Sequence, residues 1–322
     1  MTPRGRPMRN RVYLILALAA LGAIMAAFLA YRADMARLRA DLDAGSTLVG
    51  TRHGRVEVAT LGSGPPVLVL HGAGGGYDQA LLLARMFGSG DRQWIAVSRF
   101  GYRRSALPAD ASTRAQAEAL VDLLDALGID RVGVLAMSGG VPPALQLAAL
   151  HPDRVSGLAL LSSAPFTPLT AASQDLPMPA WAYQALFATD FPIWTVTRLA
   201  PRMLDAVFDV TPALRLRLTP EEAADVRALT LGFLPVTDRL PGLANEGAAI
   251  DPKARYDLSL ITAPTVIVHA RDDGINPFPI GEFLAAGLPH ARFIALPDGG
   301  HLLLGHRAKV TDAVAAVLAP PP

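Results

Sequence analysis

The segment Ala136-Met-Ser-Gly-Gly140 places Ser138 between a strand-like run, Arg131 to Ala136, and a helix-like run, Val141 to Leu150. A serine on so sharp a strand-to-helix turn has its hydroxyl pushed out at the C-terminal edge of a sheet. The turn crowds the neighbouring backbone, so small residues are needed two before and two after it, and Ala136 and Gly140 meet that need. Pro142 and Pro143 fit the first turn of the helix behind, whose positive end would direct the Gly139 N–H at an oxyanion. Taken alone, small-x-Ser-x-Gly is a weak signal, and Ser138 as a plain helix N-cap is the competing account.

A serine hydroxyl is a poor nucleophile near neutral pH, so a base must take its proton and a carboxylate must orient that base. Of the seven histidines, His301 follows a strand and the loop Pro297-Asp-Gly-Gly300, whose two glycines can aim an imidazole. His71 sits in a glycine cluster and is expected to brace it. His306, one turn into a helix, is the other candidate; His151 lies beside a surface-type Pro-Asp-Arg run, and His269 closes a strand and is read as structural. The strand Thr265 to His269 runs into Ala270-Arg-Asp-Asp273, so Asp272 and Asp273 are both candidates for the acid, one of them expected to turn outward.

The run His71-Gly-Ala-Gly-Gly-Gly76 follows a buried strand. Backbone without side chains can approach a substrate closely, and in an architecture of this kind that loop supplies a second oxyanion donor, for which Ala73 is the candidate. The run lacks a Gly-Lys-Ser/Thr ending and does not match G-x-G-x-x-G with a later acidic partner, which argues against phosphate or dinucleotide binding.

The elements that must position these residues alternate between strand-like and helix-like from about Ser46 onward, which predicts a mostly parallel sheet flanked by helices. Arg55–Leu61 reads as an early antiparallel strand. Val67–Leu70, Trp94–Ser98, Arg131–Ala136, Val155–Leu161, Thr265–His269 and Arg292–Leu296 read as the strands that follow. Between about 164 and 251 the rhythm breaks into short helical runs rich in proline, with Trp181, Tyr183, Phe187, Phe191, Trp194, Phe208 and Phe233 among them. An aromatic insert between two core strands predicts a helical cap over the site.

Ahead of this domain, Val12–Tyr31 is 20 residues without a charge, about 30 Å as a helix, which matches a bilayer core. Arg4, Arg6, Arg9 and Arg11 precede it, and Arg32, Arg37 and Arg39 follow. The expected organisation is a basic start and transmembrane anchor over 1–31, an amphipathic linker over 32–45, and an α/β domain over 46–322. A cleaved signal peptide is the alternative, but Phe28-Leu-Ala-Tyr-Arg32 makes a poor cleavage site. The slight excess of arginine before the helix favours a cytoplasmic N-terminus and a domain outside the cytoplasm. Hydrophobic residues make up 51% of the chain, charged residues 18%, and the net charge is +1. That composition supports a large core and gives no field that would attract nucleic acid. With no cysteine, disulfides, thiolate metal sites and a thiol nucleophile are excluded.

From Ser46 to the C-terminus the chain resembles the α/β-hydrolase family. The resemblance rests on His71-Gly72, Phe100-Gly-Tyr-Arg-Arg-Ser105, Ser138 in its turn, Pro264-Thr-Val-Ile-Val-His-Ala-Arg-Asp-Asp273, and Gly299-Gly-His301. It implies the order serine, aspartate, histidine. In the family the acid lies three residues after a glycine that Ala270 replaces here, which selects Asp273. Ala136 and Arg103 stand where the family usually carries glycine. The resemblance implies hydrolysis through an acyl-enzyme, with Ser138 as nucleophile, His301 as base, Asp273 as acid, and Ala73 and Gly139 as oxyanion donors. It implies no cofactor and no metal. An ester of an apolar small molecule is the expected substrate, with lactone, amide and carbon–carbon cleavage open. An acyltransferase on the same fold and a catalytically silent, membrane-associated binding domain are the rivals. Oligomeric state is not legible.

Overall fold

The computed structural model describes residues 6–164, 185, 187–249 and 256–319. The chain divides into two compact units, Met1–Ala44 and Gly45–Pro322. The first is a single helix, α1 (Arg6–Ala44). Its most apolar 18-residue stretch has a mean hydropathy of 2.6 and is exposed throughout, so it is long and apolar enough to cross a membrane. The helix does not stop at Tyr31: the segment expected as a linker continues it to Ala44. Between Arg32 and Ala44 there is no glycine or proline, strong helix formers dominate, and Arg37/Asp41 and Arg39/Asp43 stand at i,i+4 spacing. Gly45 follows the last helical residue, as glycine often does.

The second unit is built on eight strands: β1 (Thr47–Thr51), β2 (Gly54–Leu61), β3 (Pro66–Leu70), β4 (Gln93–Val97), β5 (Val132–Met137), β6 (Val155–Leu161), β7 (Thr265–Ala270) and β8 (Ala291–Leu296). Their order in the sheet is β1-β2-β4-β3-β5-β6-β7-β8. The pairs β1–β2 and β2–β4 are antiparallel, and all pairs from β4 through β8 are parallel. The expected strands are all present. The short edge strand β1 was not anticipated, because Thr-Leu-Val-Gly-Thr is brief, half-exposed and carries a glycine.

Alternate residues of the central strands, among them Leu68, Leu70, Ile95, Val97, Val132, Val134, Leu158 and Leu160, join one core cluster with Leu120, Leu124, Leu145 and Leu147. The period of two places them on one sheet face, covered there by α3 (Thr113–Ala126) and α4 (Val141–Leu150). Two further helices, α2 (Tyr77–Phe87) and α10 (Arg307–Val317), pack against one another, and α10 also against β6 and β7. The helix α9 (Pro279–Gly287) lies between β7 and β8 in the chain.

The segment between β6 and β7 contains helices and turns and no strand among the described residues. It holds α5 (Asp190–Leu199), a 3-10 stretch Pro201–Phe208, the short α6 (Pro212–Arg215), α7 (Pro220–Leu231) and α8 (Leu240–Ala249). Thr219 and Glu222 form a capping box at the start of α7. Trp181 and Tyr183, counted among the cap aromatics, lie outside the described residues.

One buried carboxylate ties the end of β4 to the start of the helix that follows the glycine loop. Glu57 on β2 is fully buried. It accepts hydrogen bonds from Ser46 Oγ (2.8 Å), Arg104 Nε (2.7 Å) and Ser98 Oγ (2.8 Å). Ser98, just past β4, in turn accepts from the Tyr77 amide that opens α2 (2.9 Å). Removing the carboxylate would take a shared buried acceptor from three side chains. Glu57→Ala is expected to lower unfolding stability by about 2–4 kcal/mol, read as a shift in the urea midpoint of the detergent-solubilised chain. A midpoint unchanged from the parent would show that this network carries no such weight.

Candidate active site

Ser138 follows β5 directly and opens a 3-10 turn, Ser138–Gly140, that leads into α4. Its φ is 51°, in the left-handed region that a non-glycine residue adopts only at a cost. The strand is thereby turned into a helix within three residues, and the turn lies against its neighbours. A Cβ on Gly140 would sit 2.4 Å from the Leu70 carbonyl oxygen, and one on Gly72 would sit 3.1 Å from Ser138 Cβ. Ala136, where the resemblance leads one to expect glycine, is fully buried and paired with Leu70 and Leu160, so the site holds one methyl group and little more.

Asp273 and His301 are brought together. His301 Nδ1 lies 3.0 and 3.1 Å from the two carboxylate oxygens of Asp273, and both residues are buried. The turn after β7 aims two more donors at the same carboxylate, the amides of Ile275 (2.9 Å) and Asn276 (2.8 Å). His269 adds its Nε2 at 3.3 Å. Burial by itself would push the Asp273 carboxyl up, but hydrogen bonds from His269 and His301, the charge of His301 and the Asn276 amide outweigh it and hold it well below the usual carboxylate range. Asp272 is exposed, yet its carboxylate accepts the amides of Gly300 (2.9 Å) and Gly299 (3.3 Å) in the loop that carries His301. The adjacent acids therefore divide the work: Asp273 meets the imidazole, and Asp272 meets its loop.

The Ser138 hydroxyl accepts a hydrogen bond from Asn276 Nδ2 at 3.3 Å, and no hydrogen bond joins it to His301 among the described residues. Asn276 is buried, and its amide nitrogen also donates to the Ser162 carbonyl (2.8 Å). Ser162 in turn donates its hydroxyl to the carbonyl of His301 (2.7 Å). The ends of β5, β6 and β7 and the loop after β8 thus meet through one chain of polar contacts.

The glycine loop is held from beneath. His71 Nδ1 donates to the Gly72 carbonyl (2.6 Å), and its Nε2 accepts from the Arg99 amide (3.1 Å). Burial and the charge of Arg99 keep the imidazole pKa well below its ordinary value, so this ring is a neutral brace, as the sequence led one to expect. The Arg99 side chain donates to the carbonyls of His71 (2.8 Å) and Gly72 (3.2 Å) and pairs with Glu246 on α8. Burial lowers the Arg99 pKa to about 10, which leaves it charged at neutral pH. Ala73, the candidate donor, is exposed, and Gly139 is half-buried. A Cβ on Gly139 would lie 2.9 Å from Glu246 Oε1, so a carboxylate of the insert sits over the elbow. Phe233, also from the insert, sits over the same loop: a Cβ on Gly74 would lie 2.2 Å from its ring. Arg103 adopts φ 55°, a left-handed conformation easier for the glycine it replaces. Its amide donates to the Asp238 carbonyl (2.6 Å) and its guanidinium pairs with the Asp238 carboxylate (2.8 Å).

Arg99, Glu246 and Asn276 were not singled out from the sequence. Arg99 directly precedes the Phe100–Ser105 run, a local cue. Glu246 meets the site only through long-range folding, and Asn276, although it follows Asp273 by three residues and binds its carboxylate through its amide, brings its side chain to Ser138 across 138 residues of chain. Among the described residues no group of three or more His, Asp or Glu side chains is arranged to hold a metal ion.

The sequence profile of the family described as "alpha/beta hydrolase fold" matches residues 65–307. The chain is 28% identical over 262 residues to 2-hydroxymuconate semialdehyde hydrolase of Pseudomonas putida, covering 77% of this chain and 84% of that protein. It is 28% identical over 268 residues to the pimeloyl-[acyl-carrier protein] methyl ester esterase of Chromobacterium violaceum, covering 80% and 96%. An alpha/beta hydrolase fold protein from Nakamurella multipartita superposes with a TM-score of 0.76 at 27% identity, covering 85% of this chain and 98% of that one. The strand order, the strained serine turn and these similarities agree: the chain belongs to the α/β-hydrolase fold family.

Proposed function

We propose that the chain is a serine hydrolase that cleaves a carboxylic ester of an apolar small molecule through an acyl-enzyme. The observation that carries this is the buried Asp273–His301 pair, joined by hydrogen bonds of 3.0 and 3.1 Å. It lies in one polar network with a serine held at φ 51°. In this proposal Ser138 Oγ attacks the ester carbonyl while His301 Nε2 takes its proton. Asp273 accepts the Nδ1–H, which fixes the tautomer and stabilises the imidazolium. The amides of Ala73 and Gly139 receive the oxyanion. His301 then returns the proton to the departing alkoxide, and a water activated by the same imidazole releases the acid. The esterase named among the relatives supports the ester, and the aromatic insert supports an apolar group on it. The hydroxyl must first exchange its contact with Asn276 for one with His301, and hydrogen bonds of this type often tighten only once substrate is bound.

The helix α1 holds the enzyme to a membrane in this proposal. The four arginines before Val12 against three after Tyr31 favour a catalytic unit on the non-cytoplasmic side. The full chain is expected to stay with the membrane fraction through an alkaline carbonate wash. Complete release into the supernatant would count against an anchor.

Ser138→Ala is expected to lose p-nitrophenyl butyrate turnover by at least about a thousandfold, and mass spectrometry should locate a fluorophosphonate adduct on Ser138 of the parent. A variant as active as the parent, or an adduct on another residue, rejects the nucleophile. Asp273→Asn is expected to keep the fold and lower kcat by about 10⁴, because an amide can stabilise neither the tautomer nor the cation. A kcat within tenfold of the parent would remove Asp273 from the acid's role.

A further inference from the structure

Asp209 ends the 3-10 stretch Pro201–Phe208 and adopts φ 58°, ψ 29°, a left-handed conformation that Asp tolerates better than most residues. Its side chain reaches out of the insert to two loops of the sheet edge. A single oxygen, Oδ2, accepts the Gly274 amide at 2.8 Å and the His301 amide at 3.0 Å. Gly274 directly follows Asp273, so one atom of the insert ties the acid's loop to the base's own backbone nitrogen.

Both loops are shaped to receive it. A Cβ on Gly274 would lie 2.6 Å from Asp209 Oδ1, and one on Gly300 would lie 2.9 Å from Oδ2 and 2.9 Å from the Asp209 carbonyl. Gly300 also has φ 59°. The residue before Asp209 continues the contact toward the third loop. The Phe208 ring meets Phe233 edge-on, with centroids 6.3 Å apart, and Phe233 covers Gly74. One turn of the insert therefore touches the acid and base loops directly and reaches the glycine loop through a single ring.

We infer that Asp209 is a positioning residue. By holding two backbone amides on one carboxylate oxygen it sets the distance between the Asp273 and His301 loops, and it makes that distance depend on the insert being seated. The inference rests on the proposed roles of Ser138, Asp273 and His301. Asp209 makes no hydrogen bond to the proposed nucleophile or to the imidazole ring among the described residues; it holds the backbone of both loops, and its charge also acts on those of Asp273 and His301, which the asparagine variant removes.

The two functions of the side chain can be separated. Asp209→Asn keeps a carbonyl oxygen able to accept both amides and removes the charge, whereas Asp209→Ala removes the acceptor. The test uses the full chain in detergent, p-nitrophenyl butyrate as substrate, and kcat expressed per site titrated with a fluorophosphonate, so that misfolded protein does not enter the rate. Asp209→Ala is expected to lose about 30–100-fold in kcat per titrated site, the scale of a catalytic group displaced by about 1 Å, with KM within about threefold. Asp209→Asn is expected to recover kcat to within about threefold of the parent. Asp209→Glu, one methylene longer, is expected to lose at least about tenfold, and it decides the matter should the alanine variant yield no titratable protein.

Parent-like kcat in Asp209→Ala or in Asp209→Glu overturns the inference, as does an asparagine variant no better than alanine. When Ser138→Ala is dead and Asp209→Ala is parent-like, this inference fails alone. A parent that neither turns over nor is labelled removes the hydrolase proposal and this one with it.

Discussion

Converting a fully buried strand into a helix within three residues is the constraint on which the rest of this unit depends. Chain direction reverses its relation to the sheet at Ser138, and the backbone of β3 passes so close behind the turn that Gly140 has room for no side chain. A strained φ at one residue costs on the order of 1–3 kcal/mol, and it persists only because β5 and α4 are both locked into the core on either side. Hydrophobic burial thus does more than stabilise the unit. It holds a serine in a conformation the isolated peptide would abandon, at a sheet edge where loops from four other strands converge.

Those loops carry charges into a region with little water, and each charge is met. Isolated, a buried carboxylate would take up a proton instead of remaining charged. Asp273 stays ionised because two backbone amides and two imidazoles point at it. Arg99 is matched by two carbonyls and Glu246, and Arg239 by the Gly75 carbonyl (2.7 Å), the Leu234 carbonyl (3.1 Å) and Asp78. The pattern is consistent: the arginines hold the glycine loop by its carbonyls, and the aspartates hold the turns after β7 and β8 by their amides. Backbone partners do not change with side-chain identity, so this scaffold fixes loop shape while leaving the side chains above it free to vary.

That pattern also explains what could be read from the sequence and what could not. The sheet was legible because Val67–Leu70 and Arg131–Ala136 are short apolar runs bounded by glycine and followed by helical periodicity. The serine turn was legible because crowding restricts both flanking positions to small residues, and that restriction leaves a mark in the chain. Selecting Asp273 over Asp272 needed the family pattern, since both follow β7 and differ by one position. Both carboxylates accept backbone amides, and their real distinction, that Asp273 meets the His301 imidazole while Asp272 meets the loop before it, exists only in three dimensions. The partners of Glu246, of the Asn276 side chain and of Asp209 left no local mark, because Glu246 meets Arg99, Asn276 Nδ2 meets Ser138, and Asp209 meets Gly274 and His301, all of them more than about 60 residues away in the chain.

The insert is where this limit matters most. Its residues were expected to contribute aromatic cover, and Phe233 lies over Gly74 with Phe208 packed against its ring. Its polar residues reach further: Arg239 takes a carbonyl of the glycine loop, Glu246 meets Arg99 above the serine turn, and Asp209 takes amides of the loops that carry Asp273 and His301. A lid held by apolar contact alone could shift without disturbing the edge beneath it, because dispersion and burial are insensitive to small lateral displacement. Hydrogen bonds are not, since they weaken steeply with distance and angle. Polar contacts from three residues to four loops therefore make the seating of the insert and the geometry of the sheet edge one problem rather than two, and any substitution that loosens the insert should be felt first at the backbone it holds.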